Sequence, residues 1–172
     1  MNIPPDSSPR EQPAPERTLF LSKRDYAASA DRIIGLARRE LSVFDPDLSE
    51  FRLDTPERVQ VLASFLHADR DNRLHIAVHD PEYLKRHCPR LMGLLQRYSA
   101  GMLIHRTVGE AALVQDCFVL VDRLHVVRRP VAAQGRGVLL LNDPREGLLM
   151  GERFGEIWES SESGASASAT GL

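Results

Sequence analysis

The sequence contains little cysteine, no long apolar run and almost no charge imbalance. Its 172 residues include two cysteines, Cys88 and Cys117, one in a predicted helix and one in a predicted strand. This usage indicates no disulfide framework and is typical of a cytoplasmic protein. No apolar stretch approaches the roughly 18–20 residues that span a bilayer, so no membrane association is predicted. The formal net charge of −2 argues against a nucleic acid as a partner.

Several motifs that mark enzyme active sites are also absent. The sequence has no HExxH, no GxGxxG after its first predicted strand, no GxxxxGK[ST] and no GxSxG. These absences exclude the corresponding zinc, dinucleotide, P-loop and serine hydrolase sites. His75 and His79 lie four residues apart on one predicted strand, with Asp80 as the one nearby third ligand. Such spacing is more typical of ordinary strand histidines than of a metal site, so no metal or cofactor is predicted.

Residues 1–17 and 161–172 have compositions that cannot support a packed core. The first segment is rich in proline, serine and charge, and the second consists mainly of small and polar residues. Both are predicted to be disordered, because too little apolar surface is available to offset the entropy of ordering. The first segment also lacks the basic start and apolar stretch of a secretory signal. Residues 18–160 have the length of a single domain.

The central segment alternates between helical and extended patterns. Apolar residues recur at helical spacing in 23–39, after Thr55 and in 80–99, and Pro89 predicts a break in the third helix. Short apolar strands lie between these helices, and three strands and a last helix follow toward the end of the chain. Alternating strands and helices favour right-handed crossovers. We therefore predict an α/β fold with a mixed, mainly parallel sheet flanked by helices on both faces, and one antiparallel hairpin at Asp122-Arg123.

The order of these last elements resembles the C-terminal part of a phospholipase D-like domain. In that superfamily, an HxKxxxxD strand precedes a hairpin, a glycine-bearing strand ending near an asparagine, and a closing helix with Phe and Trp. Asp122 matches the motif aspartate, and Gly137 to Asn142 matches the glycine-bearing strand. Phe154 and Trp158 match the closing helix. The helix and strand at the start of the central segment resemble the usual opening of the family.

The resemblance fails at the two catalytic positions of the motif. Counting back from Asp122, the lysine position holds Cys117 and the histidine position holds Gln115. In the family, the histidine attacks phosphorus and the lysine neutralises charge on the phosphoryl oxygens. Glutamine is not a nucleophile at phosphorus, and a neutral cysteine cannot replace an ammonium group. The resemblance therefore implies a degenerate domain, from a bacterial family that lacks the catalytic pair, with the fold retained.

Polar residues at the predicted strand ends form a candidate anion pocket. Its members are Asp45, His105, Arg106, Asp122, Arg128, Arg129 and Asn142. Ligands of open α/β sheets bind beyond the carboxyl ends of the strands, and arginine forks suit phosphate or carboxylate. In the competing interpretation, the arginines form ordinary ion pairs with Asp45, Asp122 and surface acids.

Three functions are compatible with these features. The first is a non-catalytic binding or regulatory module that binds a small anion or a protein partner. The second is a phosphodiesterase or nuclease-like hydrolase that uses His105 in place of the missing motif histidine. This hydrolase requires His105 and Asp122 within hydrogen-bond reach of a shared pocket. The third is a protein scaffold whose pocket is filled by its own side chains.

The resemblance also implies a homodimer. Active phospholipase D-like enzymes bring two half-sites together, and this chain has the length of one half, so a two-fold pair is the natural arrangement. Phe154 and Trp158 are candidates for that interface. Their alternative role is to pack the last helix against the sheet.

Overall fold

The computed structural model describes residues 12–166. Its strands are β1 (Glu16–Phe20), β2 (Glu40–Asp45), β3 (Arg73–Val78), β4 (Met102–Thr107), β5 (Cys117–Val121), β6 (His125–Arg129), β7 (Gly137–Leu141) and β8 (Ser161–Ala165). Its α-helices are α1 (Lys23–Ile34), α2 (Pro56–Ala68), α3 (Glu82–His87), α4 (Pro89–Arg97) and α5 (Pro144–Glu159). A short 3-10 helix, Gly109–Leu113, lies between β4 and β5.

Local sequence signals set the ends of several helices. Ser22 caps α1 by accepting a hydrogen bond from a backbone N–H of the first turn. Thr55 caps α2 in the same way, and a proline occupies the first turn, where its missing N–H is no loss. The helical segment after β3 ends at His87 and resumes at Pro89, because proline cannot donate to the preceding turn and clashes with it. The predicted break is confirmed.

Within the described residues, eight strands form one sheet in the order β1-β7-β6-β5-β2-β3-β4-β8. The β2–β3 and β3–β4 pairs are parallel, and the other five neighbouring pairs are antiparallel. The mixed α/β character is confirmed, but the prediction of a mainly parallel sheet is wrong. Helical crossovers generate the two parallel pairs. β5 instead follows a short 3-10 helix and enters beside β2 in the opposite direction, and tight turns then continue the antiparallel pairing.

Strands also occupy parts of the segments predicted to be disordered. β1 begins at Glu16 and pairs with β7, and β8 pairs with β4. Edge strands are held by backbone hydrogen bonds, so small and polar side chains do not prevent their formation. At Gly164, a Cβ would lie 2.9 Å from the backbone nitrogen of Arg106, so the missing side chain permits the close approach. Residues 12–15 and 166 lie in neither a helix nor a strand, and residues 1–11 and 167–172 lie outside the described residues.

Alternation along the strands directs side chains into two separate cores. In β5, Cys117, Val119 and Val121 join a cluster with residues of α1–α4, whereas Phe118 and Leu120 join a second cluster with α5. Among the described residues, helices therefore pack on both faces of the sheet, with α1–α4 on one face and α5 together with Ala111 of the 3-10 helix on the other. In residues 12–166, no helix has both the length and the apolar content needed to cross a bilayer.

Candidate functional site

The seven predicted site residues are divided between two opposite edges of the sheet. Asp45, His105, Arg106, Arg128 and Arg129 lie toward the edge at which β2, β4 and β6 end. Asp122 and Asn142 follow β5 and β7, which run opposite to β2, so they lie at the other edge. There the backbone N–H of Asn142 donates to Nδ1 of His125 at 3.1 Å. The structure thus separates Asp122 and Asn142 from the other five residues.

Asp122 is fully engaged with the backbone before β2. One carboxylate oxygen accepts from the N–H of Arg38 at 2.9 Å, and the other accepts from Arg39 and Glu40 at 2.8 Å each. Asp122 and Arg123 both adopt positive φ angles, 53° and 52°, as a two-residue hairpin of this hand requires. The aspartate therefore ties the β5–β6 hairpin to the start of β2.

All three predicted arginines form ion pairs, and that of Arg129 is with Glu50 at 3.5 Å. Arg106 contacts the carboxylate of Glu162 on β8. Nη2 of Arg128 lies 3.2 Å from Oδ2 of Asp116, a buried carboxylate that also accepts from Nε and Nη2 of Arg153 at 3.0 and 2.7 Å. Acids of the chain itself satisfy these guanidinium groups. These contacts agree with the interpretation that the arginines form ordinary ion pairs. The partners of Arg106 and Arg128 are Glu162 and Asp116, not Asp45 and Asp122.

Arg129 lies at the centre of a buried polar cluster with Cys117, Tyr26 and Asp45. Its Nε donates to Sγ of Cys117 at 3.2 Å, its Cζ lies 4.4 Å from the ring centroid of Tyr26, and only 1% of the residue is exposed. Burial raises the pKa of Cys117 to about 11, so the thiol is neutral at neutral pH. Burial also raises the pKa of Asp45 to about 6. Its Oδ2 atom is buried without a hydrogen-bond partner.

Three aromatic rings stack on the face of the sheet covered by α5. The ring centroid of Trp158 lies 3.7 Å from that of His105 and 4.6 Å from that of His75, with interplanar angles of 8° and 16°. Ser161 donates its hydroxyl to the carbonyl of Trp158 at 2.6 Å, so its oxygen accepts from Nδ1–H of His105 at 2.9 Å. The hydrogen bond to Ser161 places the proton of the neutral imidazole on Nδ1 of His105, so Nε2 carries a free lone pair. Burial lowers the pKa of both histidines, which favours neutral rings.

A cavity of about 220 Å³ lies beside this stack, between α5 and the strands β2, β3 and β5. Its polar lining includes Glu40, Arg73, His75 and Arg123, and its apolar lining includes Phe154 and Trp158. We call this space the α5 cavity. Arg73 and His75 are two residues apart on β3 and therefore point to the same face. The cavity brings together two cations, an acid, an imidazole and aromatic rings.

None of the seven residues predicted from the sequence lines the α5 cavity. Glu40 and Arg73 begin β2 and β3, at the opposite edge from the one expected for ligands of open α/β sheets. The signal that could have found it is the spacing of Gly147, Gly151 and Gly155, four residues apart along α5. A Cβ at Gly147 would lie 2.0 Å from the carbonyl oxygen of Arg123, so the helix can approach the hairpin only without a side chain there.

The model of one protein family, described as a domain of unknown function (DUF7931), matches residues 22–167. The chain belongs to this family. The match includes α1 through β8, and therefore both the Arg129 cluster and the α5 cavity of this DUF7931 chain. No curated protein matches the sequence.

Solved structures show the fold that the DUF7931 chain adopts. Nuc from Salmonella typhimurium, a phospholipase D family member, superposes with a TM-score of 0.60 at 12% identity, over 87% of this chain and 98% of its own. NucT from Helicobacter pylori gives a TM-score of 0.60 at 17% identity, over 87% and 99%. The archaeal chromatin protein TrmBL2, which binds DNA, gives 0.62 at 15% identity, over 91% of this chain and 55% of its own. The expected phospholipase D-like fold is confirmed.

Proposed function

We propose that this chain is a non-catalytic ligand-binding module built on the phospholipase D-like fold. The observation that carries the proposal is the state of Cys117, which takes the position of the motif lysine. The thiol is buried, its pKa is raised to about 11, and Arg129 donates to its sulfur. A neutral and enclosed sulfur supplies no charge to phosphoryl oxygens. Arg129 is itself buried, so it does not replace the missing cation for a substrate.

The position of the motif histidine supports the same proposal. Gln115 is exposed, and its carboxamide cannot attack phosphorus to form a covalent intermediate. Asp122 is the one motif residue retained, and its carboxylate accepts hydrogen bonds from three backbone N–H groups. None of the three matched positions therefore offers a group for hydrolysis.

A phosphodiesterase that uses His105 is the second candidate function. It is favoured by the free lone pair on Nε2 and by the lowered pKa of His105, since a neutral imidazole can act as a nucleophile or base. The required partner is missing, because His105 lies on β4 and Asp122 follows β5, with β2 and β3 between these strands. Trp158 also covers the imidazole ring.

Hydrolysis of bis(4-nitrophenyl) phosphate distinguishes the two functions. We expect the purified chain to release 4-nitrophenolate no faster than buffer does, with or without added divalent metal. The comparison variants are His105→Ala and His67→Ala, the second an exposed histidine on α2. Turnover that is lost in His105→Ala and kept in His67→Ala would establish the hydrolase and overturn the non-catalytic proposal.

Partners and location remain predictions. The homodimer rests on the family resemblance, and light scattering of the purified chain tests it. The expectation against nucleic acid rests on net charge alone, and the similarity in fold to TrmBL2 gives it no support. A gel-shift titration with duplex DNA at low salt tests that expectation, since phosphate contacts are strongest there. A cytoplasmic location is likewise a prediction from composition.

A further inference from the structure

We propose that the α5 cavity binds a small planar organic monoanion, of the class of a monocyclic aromatic carboxylate. This deepens the proposed function, and rests on it, by giving the binding module a site and a ligand class. The site lies on the opposite face of the sheet from the Arg129 cluster. Gln115, Cys117 and Asp122, the three positions that match the HxKxxxxD motif, do not line the cavity.

Arg73 provides the cation for the carboxylate. Its Nη1 donates to the backbone carbonyls of Arg70 and Asn72 at 2.8 and 3.0 Å, which holds the guanidinium in place. Within residues 12–166, no carboxylate forms an ion pair with Arg73. Its remaining donors can therefore form a charge-assisted pair with an anionic ligand.

The charges around the cavity match a single negative charge. Nε of Arg123 lies 3.4 Å from Oε2 of Glu40, and each side chain is 55% exposed, so this pair is weak. Two arginines and one glutamate leave a net charge of +1 at the cavity. A monoanion neutralises that charge, whereas a phosphate dianion would bring an excess negative charge close to Glu40.

His75 can orient the carboxylate. Within the described residues its ring nitrogens have no hydrogen-bond partner, while stacking on Trp158 fixes the plane of the ring. A neutral imidazole presents one donor and one acceptor. Because Arg73 and His75 share one face of β3, the guanidinium fork and the imidazole N–H can bind the same carboxylate group.

Aromatic rings and missing side chains provide room for a flat apolar group. Phe154 and Trp158 lie with ring centroids 5.6 Å apart and an interplanar angle of 27°. A Cβ at Gly155 would meet no atom within 4 Å, so this lining position leaves space open. The cavity of about 220 Å³ exceeds the roughly 150 Å³ that suffices for benzene in an apolar cavity. It therefore has space for one ring with its carboxylate.

Binding of benzoate to the full chain tests the proposal, because Trp158 is the single tryptophan and its fluorescence reports on the site. We expect benzoate to produce a saturable change, with the affinity confirmed by titration calorimetry. Benzamide, which is neutral and of the same shape, should bind about tenfold more weakly because it lacks the charge-assisted pair. Inorganic phosphate should not compete with benzoate.

Two pairs of variants locate the site. Arg73→Gln should weaken benzoate binding about tenfold and leave benzamide binding unchanged, whereas Arg24→Gln, on the exposed surface of α1, should leave both unchanged. Gly155→Leu should fill the cavity and abolish binding of both compounds, and Gly155→Ala should retain it. If Gly155→Leu does not fold, the comparison of Arg73→Gln with Arg24→Gln still tests whether benzoate binds in the α5 cavity.

Three outcomes would overturn the inference. They are no saturable binding of benzoate by the wild-type chain, equal affinity for benzoate and benzamide, or equal losses in Arg73→Gln and Arg24→Gln. Each of these outcomes leaves the non-catalytic proposal standing, because that proposal is tested by phosphodiester hydrolysis and not by the binding of benzoate. Conversely, hydrolysis that depends on His105 would overturn the non-catalytic proposal whether or not benzoate binds.

Discussion

Arg129 and Cys117 stand directly opposite each other on β6 and β5, and Nε of the arginine donates to the thiol sulfur at 3.2 Å. The pair is buried on the face of the sheet covered by α1–α4. Burial of a guanidinium group is tolerated only when its N–H groups donate to acceptors and a nearby group compensates its positive charge. Here Cys117, the ring of Tyr26 and the carboxylate of Glu50 share that role. The motif lysine position has thus become part of a structural cluster.

Removal of the Cys117 sulfur tests this relationship. We expect Cys117→Ala to lower the free energy of unfolding by about 1 kcal/mol more than Cys88→Ala does, because the first substitution leaves a buried donor of Arg129 unpaired. Both thiols are buried and free, so each substitution leaves a similar small cavity. Urea unfolding of the two variants measures the difference. Equal losses would show that the Arg129–Cys117 contact contributes nothing.

The buried carboxylate of Asp45 predicts a characteristic pH dependence. Its pKa is raised from 3.8 to about 6, so between these values the folded chain binds more protons than the unfolded chain. The contribution of Asp45 to stability therefore falls as pH rises from 4 to 6, by about 3 kcal/mol in total. Asp45→Asn keeps an acceptor for the N–H of Leu48 but does not titrate.

Unfolding measurements across pH 4–7 compare this variant with the wild type. The stability of Asp45→Asn relative to the wild type should increase with pH over that range. Asp71→Asn, on an exposed turn, serves as the control and should follow the wild-type profile. A constant difference between Asp45→Asn and the wild type would contradict the assignment of the raised pKa to Asp45.

Asp122 is predicted to be structural despite its match to the motif aspartate. Asp122→Ala removes three hydrogen bonds to N–H groups before β2. Because these groups are exposed and can bind water instead, we expect a loss of about 1–2 kcal/mol in the free energy of unfolding. Asp122→Asn keeps one acceptor oxygen and tolerates the positive φ, so it should lose about half as much. Neither substitution should change the affinity for benzoate. A loss of binding without a loss of stability would assign Asp122 to the ligand site.

The ring of Trp158 stacked on His105 predicts an effect on the pKa of that histidine. Burial lowers the pKa of His105, and the indole stacked 3.7 Å away covers one face of the imidazole. Trp158→Leu should therefore raise the pKa of His105 toward its ordinary value. The pKa of His125, which has no ring contact with Trp158, should stay lowered by its own burial. NMR titration of the imidazole protons measures both values, and an unchanged pKa for His105 would contradict this account.

Local sequence signals predicted the turns and breaks of this fold well. The hairpin at Asp122-Arg123, the cap at Thr55 and the break at Pro89 each depend on neighbours in sequence. The spacing of matched residues also predicted the phospholipase D-like fold. Strand direction was harder to predict, because a buried apolar run such as β5 has the same pattern whichever way it runs. β8 was missed because an edge strand needs no apolar composition.

The candidate site was harder to predict than the fold. The sequence places Asp122 and Asp45 alike, each at the end of an apolar run, and only the antiparallel pairing of β2 and β5 separates them. Asp116 pairs with Arg128 and also with Arg153 of α5, and the second contact joins elements that lie far apart in sequence. The α5 cavity depends on the close approach of Gly147 to Arg123. The glycine spacing of α5 marks the helix face that makes this approach, but it does not identify the hairpin that the face approaches.

The indole N–H of Trp158 provides the most direct test of the central claim, that this chain binds a ligand in the α5 cavity without phosphodiester chemistry. Because the sequence has one tryptophan, this group gives one signal in a nitrogen–proton NMR spectrum. Benzoate and bis(4-nitrophenyl) phosphate are added to separate samples of the chain. We predict that the indole signal moves saturably with benzoate while the phosphodiester stays intact. An unmoved indole signal, or phosphodiester hydrolysis that disappears in His105→Ala, would contradict the claim.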